Sequence, residues 1–549
     1  MQHAGTIKNT ITNYVLVGVL FFSIFLFFQL ATNEFWSVAD PFYHTKHSML
    51  MLETRDFTQV APWITTHFLG YAPNDPWWGY HVLLAISIYF FGPILGMKVL
   101  TALFAALVAL VFYGILRSFK IKHALAWTAL FMFSSMSFLY RLNLERPLLL
   151  AMSLMPLAYF FAIRKKYIWL FALSFVYTLL YNLAPLVLVI IVIHTAVEYY
   201  YTRILNLKPI IASGAGILCG IIIHPHSLNY LYVMYIHIWQ VPYLKLTGVS
   251  VDAISELRTP KAYEFIVYNA LVLVFSIISW AIIAGTLIKR KKNQAYIVQS
   301  LGIISLAWMI VSIVMVRGVE YWIPFAWLFI VLAFYQPQAK KIWKSIPDYI
   351  KNNKLIQALV IGCVGLILGI NIFFTYQLTV TKSEDQEFTY SFKTANEWLK
   401  ENTPQQSVIF YNNWSYWPIM FFNNHHNRYT TGMAPVFLYE YNKELFWIWK
   451  SITEYGIYCN TTDFCPSMSP KEQITMVGPT IQTMFNSNYI LLENNPEQWL
   501  FKVLENQKNQ FSKVYENEIV IIFAINELGN VLSKKDQKEY AAELEPSAP

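Results

Sequence analysis

A polytopic α-helical membrane protein with a C-terminal external α/β domain is the architecture this sequence predicts, on three observations. Of 549 residues, 56% are hydrophobic and only 13% are charged, which excludes an ordinary soluble globular protein. The apolar residues gather in uncharged runs long enough to cross a bilayer. Lysine and arginine are confined to short clusters between those runs. That pattern encodes membrane topology, so a net charge of +8 does not point to nucleic acid.

Taken in order, the runs lie near 13–31, 99–116, 124–140, 147–163, 167–182, 183–200, 209–224, 265–288, 297–316, 319–337 and 355–377, about eleven helices. The first has only Lys8 before it and no small-residue cleavage site after it, as in a retained helix rather than a removed signal. The stretch Val82 to Met97 could span or lie flat. Lying on the external surface, anchored by Trp77, Trp78 and Tyr80, it leaves all the basic clusters on the cytoplasmic side. A transmembrane domain 1–377 then turns the loops 32–98, 141–146 and 225–263 outward, with a domain 378–549 on the same face. The runs Ser407–Phe410 and Ile519–Ile522 in that second domain have the character of strands. Aromatic residues make up 17% of the chain, suiting helix ends at the membrane interface. Cys219 and Cys363 fall in apolar runs as packing residues, whereas Cys459 and Cys465 could close a small disulfide loop in an oxidising compartment or stay reduced.

Asp40 leaves the first span within a few residues of the lipid boundary, followed by Pro41. A carboxylate there reaches a lipid-borne substrate on one side and a water-borne one on the other, although aspartate is also a common helix cap. The short turn Asn143-Leu144-Glu145-Arg146-Pro147 offers hard oxygen ligands suited to Mg²⁺ or Mn²⁺, or else a local ion pair of Glu145 with Arg141 or Arg146. Arg317, in a second short turn, has the forked donors that suit phosphate; snorkelling or pairing with Glu320 is the alternative. Glu256 lies in a long loop of the kind that forms lids, or an ordinary solvated one. His44 and His47 could ligate a transition metal, but a pyrophosphate site favours oxygen ligands, so they are read as supporting or structural. His224, His226, His425 and His426 are read as structural too.

Together these pieces resemble the GT-C glycosyltransferases, and in particular the catalytic subunit of oligosaccharyltransferase. Asp40-Pro41-Phe42-Tyr43-His44 is similar to the family's acid after the first helix, and Asn143-Leu144-Glu145 to its acid-x-acid motif, with Asn in place of the first acid. Ile254-Ser255-Glu256 resembles the acidic element of its long external loop, and Arg317 its phosphate-contacting arginine. Ala395 to Pro404 resembles the lead into the W-W-D-Y-G motif, whose place is held by Asn413-Trp414-Ser415-Tyr416-Trp417. The first Trp, the Asp and the Gly of that motif are absent, which puts an asparagine-sequon acceptor in doubt.

The resemblance implies an inverting transfer of a sugar or glycan from a polyprenyl phosphate or pyrophosphate to a protein, glycan or lipid acceptor on the external face. Asp40, Asn143 and Glu145 would hold Mg²⁺ or Mn²⁺, Arg317 the donor phosphate, and Trp414 and Tyr416 the acceptor. Asp40 and Glu256 would orient or deprotonate the acceptor nucleophile. In a bacterial host the location would be the inner membrane. A transporter or lipid flippase, or a non-catalytic membrane assembly protein, are the rival classes.

Overall fold

The computed structural model describes residues 2–36, 39–60, 63–70, 72–247, 257–288, 295–345, 347, 353–382, 386–460 and 468–526. Up to Lys382 the chain is helical, and among the described residues five helices are long and apolar enough to cross a membrane. These are Ile11–Gln29, Pro93–Ser118, Tyr296–Val314, Val316–Phe334 and Lys354–Thr381, with a sixth if Ala262–Tyr268 and Ala270–Ala284 count as one bent span. Six further apolar helices, Leu148–Ile163 and Tyr167–Leu180 among them, are shorter than the roughly 20 residues a perpendicular crossing needs. The expectation of about eleven spans therefore resolves, by length, into five or six long helices and a set of short ones.

Burial orders the bundle. Every residue from Val319 to Ala333 is buried, so this helix is its central post. It packs against Ala295–Val314, Ala270–Ile288 and Leu148–Ile163. By contrast, Lys354–Lys382 presents Leu359, Val360, Ile361 and Leu366 outward. A helix so apolar and so exposed is solvated by lipid, and the chain is an integral membrane protein.

Two expected elements are bent. Val82 to Met97 is not one helix: Trp78–Phe91 stops at Gly92, whose φ of 80° suits a residue without Cβ, and Pro93 opens the next helix. The two helices fold back closely, for a Cβ on Gly96 would lie 2.9 Å from the backbone of Ile88. The predicted 265–288 span breaks by 76° at Asn269. There the Asn269 amide donates to the Phe265 carbonyl (2.9 Å) and its Oδ1 accepts from the Ser135 hydroxyl (2.6 Å), which satisfies polar groups the bend would otherwise bury unpaired.

Beyond Gln386 the chain forms a five-stranded sheet, β1 Val408–Tyr411, β2 Arg428–Tyr429, β3 Ser487–Glu493, β4 Phe511–Glu516 and β5 Val520–Ile525, in the order β2-β1-β3-β5-β4. β1 runs parallel to β2 and β3, and β5 antiparallel to β3 and β4. The all-apolar run of β1 is buried throughout, as helices on both faces demand. Beyond β2 the sheet is continued by the loop after the helix Asp40–Thr54. Ile64 forms a parallel bridge with Tyr429, the Tyr429 amide donates to the Trp63 carbonyl (2.7 Å), and the Thr65 amide donates to the Tyr429 carbonyl (2.8 Å). The helix Asp40–Thr54 also packs on Trp417–Asn423. The sheet domain is thus seated on the loop that carries Asp40.

Cys459 is disulfide-bonded, while Cys219 and Cys363 are free. Cys465 and Glu256 lie outside the described residues.

Candidate functional site

A cavity of about 590 Å³ opens where the helical bundle, the first loop and the sheet domain meet. Asp40 reaches it from the first turn of its helix, and helical spacing brings Tyr43 and His44 to the same wall. Asp40 is accessible, its side chain 45% exposed, and its Oδ2 forms an ion pair with Arg146, 3.0 Å from Nε. Arg146, which the sequence offers as a partner for Glu145, lines the cavity and pairs with Asp40.

The next two predicted ligands turn inward. Asn143 ends the helix Met136–Leu142; its amide donates to the Leu139 carbonyl (2.9 Å), and its Oδ1 lies 3.5 Å from Gln29 Nε2. Glu145 is fully buried, and its Oε2 accepts from the Trp36 backbone amide at 2.8 Å. Neither lines the cavity. Within this one turn Glu145 is packed in the interior while Arg146 lines the opening.

Arg317 does line the cavity, from a tight turn Val316–Gly318. It donates to the Tyr181 hydroxyl (3.0 Å) and lies 3.5 Å from Glu320 Oε2, so the predicted pairing with Glu320 is present without removing Arg317 from the cavity. Glu320 Oε1 meets Arg141 Nη1 at 3.0 Å. One buried carboxylate thus steadies two guanidinium groups. Lys245 adds a third cation to the lining and is anchored by the carbonyls of Val314 (2.8 Å) and Leu257. Leu257, the neighbour of Glu256 in sequence, also lines the cavity.

The sheet domain contributes Asn413, Trp414, Ser415 and Trp417. Asn413 caps this turn by accepting from the Ser415 amide (3.0 Å), which fixes Trp414 at the rim. Tyr416 faces away: its ring packs on Phe392 (4.8 Å between centroids) and its hydroxyl donates to Glu493 Oε2 (3.0 Å). Burial, and then the Glu493 charge, push the Tyr416 hydroxyl above the ordinary phenol range. Leu183, Leu186, Val241, Trp308, Val311 and Met315 supply an apolar part of the lining.

Lys245 and Tyr181 are lining residues that sequence reasoning left out, while His44, read there as supporting or structural, and Trp417, named only within the motif, line the cavity too. A signal existed for His44, which stands four residues after Asp40 on one helical face. Behind it lies a separate buried group: His47, Asp75 and His81 place ligand-type atoms within 4.8 Å of one another and could hold a metal ion.

No protein-family model matches the sequence, nor does any curated protein sequence. Solved structures do match in shape, and the chain shares its fold with oligosaccharyltransferase and ArnT structures. The archaeal oligosaccharyltransferase AglB from Archaeoglobus fulgidus, in complex with an inhibitory peptide and a dolichol-phosphate, superposes with a TM-score of 0.54 at 11% identity, over 93% of this chain and 74% of that one. The Archaeoglobus fulgidus oligosaccharyltransferase in complex with Zn and sulfate gives 0.54 at 12% identity, over 92% and 73%. ArnT from Cupriavidus metallidurans, bound to undecaprenyl phosphate, gives 0.51 at 11% identity, over 94% and 99%.

Proposed function

We propose that the chain is an integral-membrane glycosyltransferase that moves a sugar or glycan from a polyprenyl phosphate or pyrophosphate to an acceptor at the membrane surface. The observation that carries this reading is the cavity itself. It joins one accessible carboxylate, three cationic side chains and an apolar wall, drawn from residues as distant as Asp40, Arg146, Arg317 and Trp414. A polyprenyl donor needs that combination: an apolar surface for the isoprenoid and fixed cations for its phosphate. The structural neighbours AglB and ArnT, solved with dolichol-phosphate and undecaprenyl phosphate, support the same donor class.

In this reading Arg317 and Lys245 hold the donor phosphate and stabilise the charge that grows on it as the glycosidic bond breaks. Asp40, aimed by Arg146, accepts the proton of the attacking acceptor group. Trp414 and Trp417 wall the acceptor side and help to exclude water, which would otherwise compete as acceptor. By the positive-inside pattern, the cavity and the sheet domain face away from the cytoplasm, the outer side of the inner membrane in a bacterium.

The set Asp40, Asn143 and Glu145 does not fit Mg²⁺ or Mn²⁺ as arranged. Only Asp40 lines the cavity, the Asn143 amide is bonded to backbone, and Glu145 accepts from Trp36. No step of the proposed reaction is routed through a divalent ion at those residues.

The test is transfer from a labelled polyprenyl-linked sugar by purified protein. Asp40→Asn keeps the shape of the side chain and removes the base. It should lower turnover by about a hundredfold or more while expression and elution volume stay as in the wild type. Wild-type turnover in this variant would end the assignment of Asp40.

A further inference from the structure

The group behind the cavity gathers three ligand-type atoms, from His47, Asp75 and His81, within 4.8 Å of one another. Asp75 and His81 are fully buried, and His47 is 2% exposed. The imidazoles of His81 and His47 converge on one oxygen: Asp75 Oδ2 lies 2.7 Å from His81 Nδ1 and 3.3 Å from His47 Nε2. The second contact lacks the alignment of a hydrogen bond. Ligands about 2.0–2.1 Å from a tetrahedral zinc sit about 3.3 Å from each other, so the His47 contact already has that spacing and the His81 contact needs to open by about half an ångström. Two imidazoles and one carboxylate, sealed from bulk water, suit a borderline-soft ion such as Zn²⁺ better than Mg²⁺ or Ca²⁺.

A metal-bound imidazole must also place its other N–H on a fixed acceptor. His81 has one: its Nε2 lies 2.7 Å from His44 Nδ1. His44 in turn lines the cavity that holds Asp40. The chain of contacts therefore runs from Asp75 through His81 and His44 to the cavity wall.

We propose that His47, Asp75 and His81 bind one Zn²⁺ ion, and that its occupancy sets which hydrogen-bonding face His44 turns to the cavity. The argument is one of proton placement. Zinc takes the lone pair of His81 Nδ1, so the His81 proton sits on Nε2 and is donated to His44 Nδ1. His44 then carries its own proton on Nε2 and offers the cavity a donor. With no ion, His81 Nδ1–H donates to Asp75 and His81 Nε2 accepts from His44 Nδ1–H. His44 then offers the cavity a lone pair. A donor there suits a phosphate oxygen; a lone pair does not.

The test needs no turnover assay and stands apart from the glycosyltransferase reading. Full-length protein in detergent is stripped with a chelator, then reloaded with Zn²⁺ for metal analysis or with Co²⁺ for its visible spectrum. The wild type should bind a single ion, show the intense visible bands of tetrahedral Co²⁺, and gain thermal stability with Zn²⁺. His47→Gln and Asp75→Asn should lose the ion while eluting as the wild type does. His44→Gln should keep the stoichiometry and bind about ten- to a hundredfold more weakly. Reloaded wild type with no bound ion or no tetrahedral spectrum overturns the proposal, even if the variants fail to fold. Well-folded His47→Gln and Asp75→Asn variants with undiminished metal overturn it as well.

Discussion

Glu320 shows how much one side chain can hold in place. It is fully buried, with Arg141 at 3.0 Å and Arg317 at 3.5 Å. Removing one member of a buried ion group leaves the others uncompensated, at about 3–5 kcal/mol. Glu320→Gln should therefore lower the thermal midpoint in detergent and weaken donor binding, because Arg317 loses its brace. An unchanged midpoint would show that the carboxylate carries no such load. His67 gives a second residue-scale prediction, this time in pH. It is buried between Phe68 and Phe437, and burial lowers its pKa to about 3. The unfolded chain titrates the same group near 6.5. Its contribution to stability is complete above that value and is lost as pH falls toward about 3, because the unfolded state then binds the extra proton. The wild type should lose thermal stability on acidification below about pH 6.5, and His67→Phe should flatten that slope.

At the scale of elements, position in the cavity is set by how helices end. Arg317 sits in a turn so close to the preceding helix that a Cβ on Gly318 would lie 2.5 Å from the Ser312 backbone nitrogen. Backbone cannot yield as a side-chain tip can, so Gly318→Ala should displace the turn, cost about 1–3 kcal/mol and raise the donor KM more than it changes kcat. Equal KM values would mean that the turn does not position the phosphate-binding group. Element ends also mark where sequence reasoning worked. Asp40 and Arg317, which line the cavity, stood out in sequence because a charge is costly beside a long apolar run. The turn at 143–147 was legible as a place but not as an orientation, since whether Glu145 or Arg146 faces the opening depends on what packs behind the turn. The bends at Gly92 and Asn269 were hidden because hydropathy does not register a change of direction. The zinc-type cluster was hidden for another reason: His47 lies in one helix, His81 in the next, and Asp75 in the loop between them. Tyr416, chosen for its place in a degenerate motif, is held away by Glu493, a residue no local pattern connects to it.

The whole molecule is a helical bundle and a sheet domain that share the wall of one cavity. Trp414 and Trp417 come from the second part, Asp40 and Arg317 from the first. A chain ending at Lys382 would lose that wall and would strip the loop at Trp63, Thr65 and Thr66 of its backbone partners on the sheet. Such a fragment should be protease-sensitive and aggregated on size exclusion, and unable to transfer sugar. A monodisperse, active fragment would show that the cavity belongs to the bundle alone.

The strand-like contact between Thr65 and Tyr429 joins positions 364 residues apart. During synthesis the amides of Thr65 and Thr66 must wait for these partners until the chain has grown past Thr430. Pairings this distant in sequence form slowly and late. The seam where the sheet meets that loop thus closes late, and the wall that Trp414 and Trp417 add beside Asp40 is completed only with it.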